Sequence, residues 1–458
     1  MERKLLIIIL LFASIFNVQA KDDALQTLLE HPSLKHVSVG ISVKSLKTGE
    51  TLFEHRSEKS MQPASVVKIF TTGLALEKCG KDFRYKTIVS YSDTIVDGVL
   101  KGDLIIEASG DPTANSRFFP NYNLVKKIDD ALLQARITTI EGRIRVLPQE
   151  TLARLPGSWV WEDLSNHYAA PYRTFNYRDN AYILGLATGR AGGPSRVKSV
   201  DPPLPGKTFI SNAIASRQPK DDAWIFGGPY SDTLYVEGTL PQNQAAYAIK
   251  GALYSPAACF VGELSTRLTA RKVVINNKII NDLKHTTLLQ YTSPSLEEIV
   301  LCTNKWSVNL FSEALGVLVD SVDFAGALKN ALQRIGASPS GIIMKDACGL
   351  SAYSAVPPVA LADFLIWAYN AVGKAFTHSL PVAGIDGNLT NYVSGNPLLK
   401  NKLFAKTGTF TGVRCLAGYI TAKSGEQYAF CIMLNHCVEN IHEVQNQVGH
   451  FLSKLAAL

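Results

Sequence analysis

The chain has 458 residues, of which 46% are hydrophobic and 19% are charged. This composition is that of an ordinary globular protein and excludes disorder over a large part of the chain. One hydrophobic core usually serves no more than about 250–300 residues, so we expect two or three domains. The net charge of +7 comes without a dense Lys/Arg cluster, which argues against nucleic-acid binding. A basic surface could still hold the protein near an anionic wall or membrane.

The first 20 residues have the layout of a secretory signal peptide. Glu2-Arg3-Lys4 is a short basic start, Leu5 to Phe16 is an apolar run, and Val18-Gln19-Ala20 resembles a cleavage site. The apolar run is short for a membrane span, and an uncleaved anchor is the alternative. We therefore expect an exported protein, in the periplasm or cell-wall space, with no integral membrane span after signal cleavage.

Seven cysteines occur without any C-x-x-C pair, so zinc and thioredoxin-type sites have no support. An odd number in an exported protein leaves at least one cysteine without an intramolecular partner. The alternative for most of them is a role as small buried hydrophobic residues.

The N-terminal third shows strand and helix signals. Alternation from Val37 to Lys44 predicts a strand, Lys47 to Glu50 a hairpin turn, and Thr51 the start of the return strand. Apolar residues at helical spacing predict a helix from Ser65 to Lys78, which Gly80 ends.

The middle of the chain differs in pattern from its two ends. Short strand-like runs lie between Thr87 and Glu107, a helix is predicted at Leu124 to Ala135, and Ile137 to Val146 is predicted to be extended. Gly192 to Pro205 is dense in Gly and Pro and is predicted to be a loop or linker. Helices and strands then return in the last third: Leu296–Leu301, Val308–Val319, Ala360–Val372, Leu416–Thr421, Tyr428–Leu434 and Ile441–Leu455. This order predicts one domain formed by both ends of the chain and interrupted by an insert.

Ser65-Val66-Val67-Lys68 is an S-x-x-K sequence at the start of the first predicted helix. Residues three apart share a helix face, so the Lys68 amine should lie near the Ser65 hydroxyl. A serine hydroxyl is a weak nucleophile, and a lysine can activate it if burial or a neighbouring cation lowers the lysine pKa. In isolation, an exposed helix start with Ser65 as N-cap is the more common explanation.

Two further motifs lie in the last third. Ser307-Val308-Asn309 opens a helix, where Ser307 is either an N-cap or a proton relay to a leaving amine, with Asn309 positioning the substrate. Lys406-Thr407-Gly408-Thr409 lies beside a predicted strand, where the charge, hydroxyls and backbone N–H groups suit a substrate carboxylate and Gly408 permits close approach. Lys47-Thr48-Gly49 has the same letters in a predicted hairpin turn, which shows that each motif alone is weak.

The order S-x-x-K, S-x-N, K-T-G is typical of penicillin-binding proteins and class A β-lactamases. Over nearly the whole chain after residue 20, the sequence resembles the D-alanyl-D-alanine carboxypeptidase/endopeptidase family of low-molecular-mass class C penicillin-binding proteins. Besides the three motifs, the resemblance rests on these segments: Pro63-Ala64, Gly110-Asp111-Pro112, Trp159–Leu164, Ala170-Pro171, Asn304–Leu310, Asp346 with Gly349-Leu350-Ser351, and Leu380–Gly384 with Asp386-Gly387.

The resemblance implies an α/β (α+β) fold with a β-lactamase/DD-peptidase-like catalytic domain. That domain would contain a five-stranded antiparallel sheet flanked by helices, interrupted by a two-part, mainly β-containing insert. The implied boundaries are a signal peptide at 1–20, a catalytic domain at 21–84 and 284–458, and an inserted region at 85–283 made of two smaller domains. A simple β-lactamase lacks such an insert.

The resemblance also implies that the tryptophan-rich segment of the insert contacts the diamino acid of a stem peptide, through Asp163 and Tyr168. Core packing is the alternative for Trp159 and Trp161, and we favour it for at least one of them. The chain departs from the family pattern at four places, of which the last two bear on peptide specificity: Val308, Ala347-Cys348, Ala352 and Thr411.

The implied chemistry is acyl transfer. Lys68 would take the proton of Ser65, which attacks the penultimate D-alanine carbonyl, and Ser307 would protonate the departing D-alanine. Backbone N–H groups of Ser65 and Thr409 would form the oxyanion hole. The residues expected to hold the terminal carboxylate are Lys406, Thr407 and Thr409.

Peptidoglycan stem peptides and cross-bridges are the expected substrates, and β-lactams are the expected covalent inhibitors. This chemistry requires no metal and no other cofactor. One alternative is a β-lactamase-like hydrolase, which would turn over penicillin rapidly. Another is a non-catalytic peptidoglycan-binding or β-lactam-sensing protein, which would not need to keep Ser65, Lys68, Ser307 and Lys406 together.

Overall fold

The computed structural model describes residues 23–149, 155–280, 284–391, 396–437 and 440–458. The predicted signal peptide, residues 1–20, lies outside the described residues. Within them, no helix has the length and apolar character needed to cross a membrane. The chain forms two compact units. The first comprises the described parts of Met1–Gly80, Val300–Ser307 and Leu315–Leu458, and the second those of Lys81–Ile299 and Val308–Ala314.

The strands of the described chain, in order, are β1 (Ser38–Ser45), β2 (Thr51–His55), β3 (Lys86–Ser92), β4 (Ile95–Val96), β5 (Val99–Leu100), β6 (Leu104–Glu107), β7 (Thr139–Ile140), β8 (Ile144–Leu147), β9 (Ala181–Thr188), β10 (Ser195–Asp201), β11 (Thr208–Ser211), β12 (Ile214–Ser216), β13 (Asp222–Phe226), β14 (Thr233–Pro241), β15 (Tyr247–Ala252), β16 (Val274–Ile275), β17 (His285–Thr292), β18 (Leu403–Phe410), β19 (Val413–Thr421) and β20 (Gln427–Asn435).

Residues 23–29 are helical. The helices that follow are α1 (Lys68–Cys79), α2 (Leu124–Gln134), α3 (Trp161–Leu164), α4 (Pro256–Ala270), α5 (Leu296–Trp306), α6 (Asn309–Val319), α7 (Phe324–Arg334), α8 (Pro358–Ala371), α9 (Lys374–Thr377) and α10 (Ile441–Ala457). Short 3₁₀ turns lie at Pro32–Leu34, Ala64–Val67, His167–Ala169, Arg178–Asn180, Gly387–Leu389 and Pro397–Leu399.

The first unit is built on a five-stranded antiparallel sheet with the order β18-β19-β20-β1-β2. Strands β19 and β20 are buried along almost their whole length, because helices cover both faces of the sheet. On one face, Val444, Val448 and Phe451 of α10 join the apolar core under the sheet. On the other face, the Tyr419 hydroxyl donates to the Leu365 carbonyl of α8 at 2.8 Å. The predicted five-stranded sheet flanked by helices is therefore confirmed.

Local signals in the first unit were predictive. The hairpin at Lys47 to Glu50 joins β1 to β2, with Gly49 at φ 75°, a conformation that glycine adopts without strain. Helix α1 ends where the sequence predicts. Gly80 has φ 75°, and its N–H donates to the Leu76 carbonyl.

The second unit contains two apolar cores. One core includes the buried faces of α2 and α4 together with the sheets β17-β3-β6-β8 and β16-β7-β5-β4. The other lies among the sheet β10-β9-β15 and the sheet formed by β11, β14, β12 and β13. Helices and strands line the first core and strands line the second, so the unit is mixed α/β.

Two predictions for the middle of the chain are wrong in detail. The loop expected at Gly192 to Pro205 contains strand β10, which pairs with β9, because Val197 and Val200 pack against the second core. Its Gly and Pro residues lie in the flanking turns. The extended run expected at Ile137 to Val146 is two separate strands, β7 and β8, divided by a turn at Glu141-Gly142.

Neighbouring leucines on α2 test this packing. Leu132 is fully buried in the core, whereas Leu133 is 60% exposed. We expect Leu132→Ala to lower the free energy of unfolding by about 2–5 kcal/mol through the cavity that it leaves. Leu133→Ala should change it by less than about 0.5 kcal/mol. Urea unfolding followed by circular dichroism measures both, and equal shifts in the two variants would contradict this packing.

Candidate active site

The first group of predicted site residues lies in the first unit, at the N-terminal end of α1. The 3₁₀ turn Ala64–Val67 runs directly into the helix, which places Ser65 one turn before Lys68. The Nζ atom of Lys68 lies 3.1 Å from the Ser65 Oγ atom. Ser65 is half-buried and Lys68 is completely buried. The geometry predicted for the S-x-x-K sequence is thus present, with the hydroxyl reachable and the amine removed from water.

A loop from Asp346 to Ser351 supplies another contact of Lys68. The Asp346 carboxylate accepts hydrogen bonds from the backbone N–H groups of Gly349 at 2.8 Å and Ser351 at 2.7 Å. This closed loop presents the Cys348 carbonyl to the Lys68 Nζ atom at 2.6 Å. The carbonyl satisfies part of the hydrogen-bonding capacity that a buried lysine amine needs.

Two glycines let the chain approach the Ser65 turn closely. A Cβ atom at Gly349, which has φ 79°, would lie 2.0 Å from the Ala64 carbonyl oxygen, and one at Gly408 would lie 2.6 Å from the Pro63 carbonyl oxygen. Ala64 itself has φ 47°, which is uncommon for a residue with a side chain. The close approach that we expected Gly408 to offer a substrate is therefore also needed by the chain itself.

Ser307 lies between α5 and α6 with φ 58°. Its Oγ atom is 2.9 Å from the Nζ atom of Lys406. The residue two positions earlier anchors this bend, since the buried Lys305 amine bonds to the Asp386 carboxylate at 2.7 and 2.8 Å and to the Leu380 carbonyl at 2.7 Å. These contacts hold the end of α5 and so the position from which Ser307 projects.

Lys406 is completely buried on strand β18. Its Nζ atom also donates to the Thr407 carbonyl at 2.7 Å, and among the described residues no carboxylate forms an ion pair with it. Burial, followed by the positive charge of Lys68, holds the pKa of Lys406 well below its usual value. Each of the two serines is in contact with a buried lysine, and the charge of Lys68 disfavours the charged form of Lys406.

Strand β18 forms one edge of the sheet, and in the described chain no other strand pairs with the outer edge of its second half. Pro381–Ala383 covers the first half, because the Ala405 N–H donates to the Pro381 carbonyl at 3.0 Å and the Ala383 N–H to the Leu403 carbonyl at 2.9 Å. The pairing of β18 with β19 is continuous. N–H groups alternate in direction along a strand, so those of Thr407 and Thr409 point to the same edge as that of Ala405. The Thr409 N–H thus has the direction that an oxyanion donor requires.

The second unit holds the other residues that the sequence singles out. The Tyr168 hydroxyl donates to the Asp163 Oδ1 atom at 2.9 Å, and the Asn309 amide donates to the Tyr168 carbonyl at 2.8 Å. Asp163 is 8% exposed, and its buried Oδ2 atom has no hydrogen-bond partner in the described chain. Burial raises the pKa of Asp163, whereas the bond from Tyr168 opposes that rise. A buried carboxylate oxygen without a donor from the protein usually bonds to a partner outside it, such as water or a bound group.

The two tryptophans of the same segment differ in environment. Trp159 is 6% exposed, in keeping with a core residue. Trp161 is 62% exposed, with its ring centroid 5.0 Å from that of Phe226. A helical or strand periodicity could not separate them, because the segment is a short turn of helix α3 with irregular flanks.

Sequence reasoning missed the carbonyl of Cys348 and the left-handed backbone of Ala64 and Ser307. Neither a backbone acceptor nor a positive φ at a residue with a side chain has a sequence signal of its own. Only an indirect signal could have indicated the Cys348 carbonyl: Asp346 and Gly349 belong to a segment that carries the family resemblance.

The five-stranded sheet with its covering helices defines the fold of β-lactamases and D,D-peptidases. The chain matches the D-Ala-D-Ala carboxypeptidase 3 (S13) family over residues 21–455, and it belongs to that family. It is therefore a serine-type D-Ala-D-Ala carboxypeptidase.

Relatives with this activity in their names span most of the chain. It is 24% identical over 415 residues to the D-alanyl-D-alanine carboxypeptidase DacB of Haemophilus influenzae, covering 87% of this chain and 85% of the relative. It is 26% identical over 446 residues to the D-alanyl-D-alanine carboxypeptidase of an Actinomadura species, covering 90% and 80%. The crystal structure of penicillin binding protein 4 from H. influenzae has the same fold, with a TM-score of 0.76 at 20% identity over 96% of this chain and 99% of that one.

The depressed pKa of Lys406 has a consequence for stability. Between that pKa and the unfolded value near 10.4, the unfolded chain binds a proton that the folded chain does not, so stability rises with pH. Lys406→Met removes this contribution. We therefore expect the unfolding free energy of the wild type, minus that of the variant, to increase as pH rises from 7 to 10. Urea unfolding at several pH values measures the difference.

Lys400→Met is the matched control, because Lys400 is exposed just before the same strand. Its stability curve should run parallel to that of the wild type. A parallel curve for Lys406→Met as well would show that the amine titrates normally in the folded protein.

Proposed function

We propose that this carboxypeptidase cleaves peptidoglycan stem peptides through an acyl-enzyme on Ser65, and that β-lactams acylate the same hydroxyl. The observation that carries the proposal is the pairing of two serines with two buried lysines beside the open edge of β18. Neutral lysine is a competent base, and the positive charge of Lys68 disfavours a second charge on Lys406, so the pair favours fewer than two positive charges.

Proximity assigns the roles of the two lysines. Lys68 contacts Ser65 at 3.1 Å, so it takes the hydroxyl proton as the Ser65 Oγ atom attacks the carbonyl before the terminal residue. Lys406 contacts Ser307 at 2.9 Å, so it orients that hydroxyl, which passes its proton to the departing amine. The proton that Lys68 has taken then replaces the one that Ser307 gave up. In the second half, water attacks the ester while Lys68 accepts a proton from it and returns that proton to the Ser65 oxygen, which frees Ser65 and the shortened peptide.

The substrate lies along the open half of β18 as an added strand. The carbonyl oxygen of the cleaved bond is held by the N–H groups of Ser65 and Thr409, and the hydroxyls of Thr407 and Thr409 bind the terminal carboxylate. Support comes from the edge position of β18 and from the direction of the Thr409 N–H group. Each oxyanion donor of this kind is worth about 3–4 kcal/mol of transition-state stabilisation.

Asp163 and Tyr168 hold the side-chain ammonium of a diamino acid in the stem peptide. The Oδ2 atom of Asp163 has no donor in the described chain, and the Tyr168 hydroxyl orients the carboxylate through Oδ1. An arriving ammonium group supplies the missing donor and a compensating charge. Asn309 supports this arrangement through the Tyr168 carbonyl.

Cleavage of cross-bridges is the second activity that we propose. The bond in a cross-bridge also follows a D-alanine, so the same acyl-enzyme would form and only the departing group would differ. Such substrates place the enzyme outside the cytoplasm, in the periplasm or cell-wall space, in keeping with the signal peptide predicted at residues 1–20. The structure of the H. influenzae penicillin binding protein 4 has also been determined in complex with a novel β-lactam.

The nucleophile is tested by Ser65→Ala. Wild type should form a lasting adduct with labelled penicillin on the peptide that contains Ser65, and the variant should form none, because it lacks the hydroxyl that lies 3.1 Å from the Lys68 Nζ atom. Ser60→Ala is the control, since Ser60 is exposed and, within the described chain, its hydroxyl donates to the Gly341 carbonyl and to no other group. Mass spectrometry of the digested protein locates the label.

The same two variants should be incubated with disaccharide pentapeptide and with cross-linked dimer. Wild type and Ser60→Ala should release D-alanine from the first and monomers from the second, and Ser65→Ala neither. Rapid penicillin turnover would favour a β-lactamase, and binding without product would favour a sensor. A labelled Ser65→Ala protein would show that the nucleophile is another residue.

Asp163→Asn tests recognition of the third residue. We expect kcat/KM to fall about 10- to 100-fold for a peptide with lysine at that position, the loss of one hydrogen bond to a charged group. For the same peptide with acetylated lysine it should change by less than about threefold. Glu162→Gln is the matched control, because Glu162 is exposed beside Asp163. Equal losses on both peptides would mean that Asp163 acts on the fold and not on the ammonium.

A further inference from the structure

A cavity of about 300 Å³ lies between strands β18–β20 and helix α10 of the first unit. Its wall on β18 is formed by Thr407, Gly408 and Thr409, the residues that follow the buried lysine. The opposite wall is formed by Gln445 and Val448 of α10. The cavity therefore opens beside the strand along which we propose that the substrate lies.

Among the described residues that line this cavity, Arg414 is the only cationic one and none is acidic. In the β18–β19 ladder, Arg414 is directly opposite Thr409. Opposed residues of an antiparallel pair project to the same face, and so do residues two apart on one strand. Arg414, Thr409 and Thr407 consequently share the face that carries the cavity.

The guanidinium of Arg414 is held in place by the turn between the two strands. Its Nη1 atom donates to the carbonyls of Phe410 at 2.9 Å and Val413 at 2.7 Å. Among the residues that the structure describes, none accepts a hydrogen bond from Nε or Nη2, and no carboxylate pairs with the group. A positioned guanidinium with unused N–H groups is a preformed binding site for a carboxylate.

Lys406 is a poor candidate for the cation that binds a carboxylate beside Thr407 and Thr409. It projects to the other face of β18, it is fully buried, and its Nζ atom already contacts the Ser307 hydroxyl and the Thr407 carbonyl. An amine whose charged form is disfavoured by burial contributes little attraction to an anion. The face of Thr407 and Thr409 thus needs another cation if it is to select a charged group.

We propose that Arg414 binds the carboxylate of the departing residue together with Thr407 and Thr409, and so selects substrates and β-lactams that carry this carboxylate. The inference rests on the proposed function at Ser65 and deepens it. Arg414 takes no part in proton transfer, because the lysines and serines that do so lie on the opposite face of the strand. Its contribution is to binding and alignment of the leaving group.

The test compares acylation by benzylpenicillin and by its methyl ester, which lacks the negative charge. The second-order acylation rate should fall about 10- to 100-fold for benzylpenicillin in Arg414→Gln, the usual effect of losing a charge-assisted hydrogen bond. The rate with the ester should change by less than about threefold. Arg414→Lys should be intermediate, since it keeps the charge without the planar fork.

Lys423→Gln is the matched control, because it removes one positive charge at the exposed turn at the other end of β19. Its rates should equal those of the wild type. An equal loss on both compounds in Arg414→Gln, or no loss on either, would overturn the proposal while leaving acylation of Ser65 intact. If the wild type is not acylated at Ser65 by either compound, the proposed function fails first and this inference falls with it.

Discussion

The structure around Ser65 depends on the burial of two lysine amines in one core. Lys68 and Lys406 are both fully buried, and the charge of the first lowers the pKa of the second. Burying an ammonium group is costly, so such groups shed protons or gather acceptors. The backbone carbonyls of Cys348 and Thr407 serve as acceptors for Lys68 and Lys406, respectively. A backbone carbonyl carries no full charge, so it can hold an amine in either protonation state, which suits a lysine that transfers protons.

The burial of the amines sets strict conditions on the backbone around them. The turn before α1 is approached from one side by Gly349 and from another by Gly408, each at a distance that excludes a Cβ atom. Ala64 and Ser307 adopt positive φ values at the two points where the chain turns toward the amines. Residues with side chains hold such conformations only where surrounding contacts compensate the strain. The strain here lies next to the two serines, which is where a small displacement would break their contact with the lysines.

How far the sequence predicts this protein differs between its two units. Helix α1, the β1–β2 hairpin and the strands that end the chain follow from periodicity and turn residues, because each is local and each has one face in the core. Ser65, Lys68, Ser307 and Lys406 were found because three short motifs occur in a known order, and the structure brings each serine to one lysine. The insert was harder. Strand β10 was missed because Gly and Pro around it outweighed Val197 and Val200, and helix α4 was missed because its apolar positions mix with Ala, Gly and Thr.

The sequence could not indicate that the two faces of β18 have different roles. A strand projects successive side chains to opposite sides, so Lys406 and Gly408 face the Ser65 turn while Thr407 and Thr409 face α10. In the four-letter motif these residues are simply adjacent, and we expected all of them to hold one carboxylate. The alternation separates them into a buried face for proton transfer and a hydroxyl-bearing face for binding. Both faces meet at the backbone edge, whose N–H groups belong to the same Thr407 and Thr409. A substrate strand on that edge would therefore meet the nucleophile on one side and Arg414 on the other. The register of β18 with β19 puts Arg414 on that face, and the carbonyls of Phe410 and Val413 hold its guanidinium.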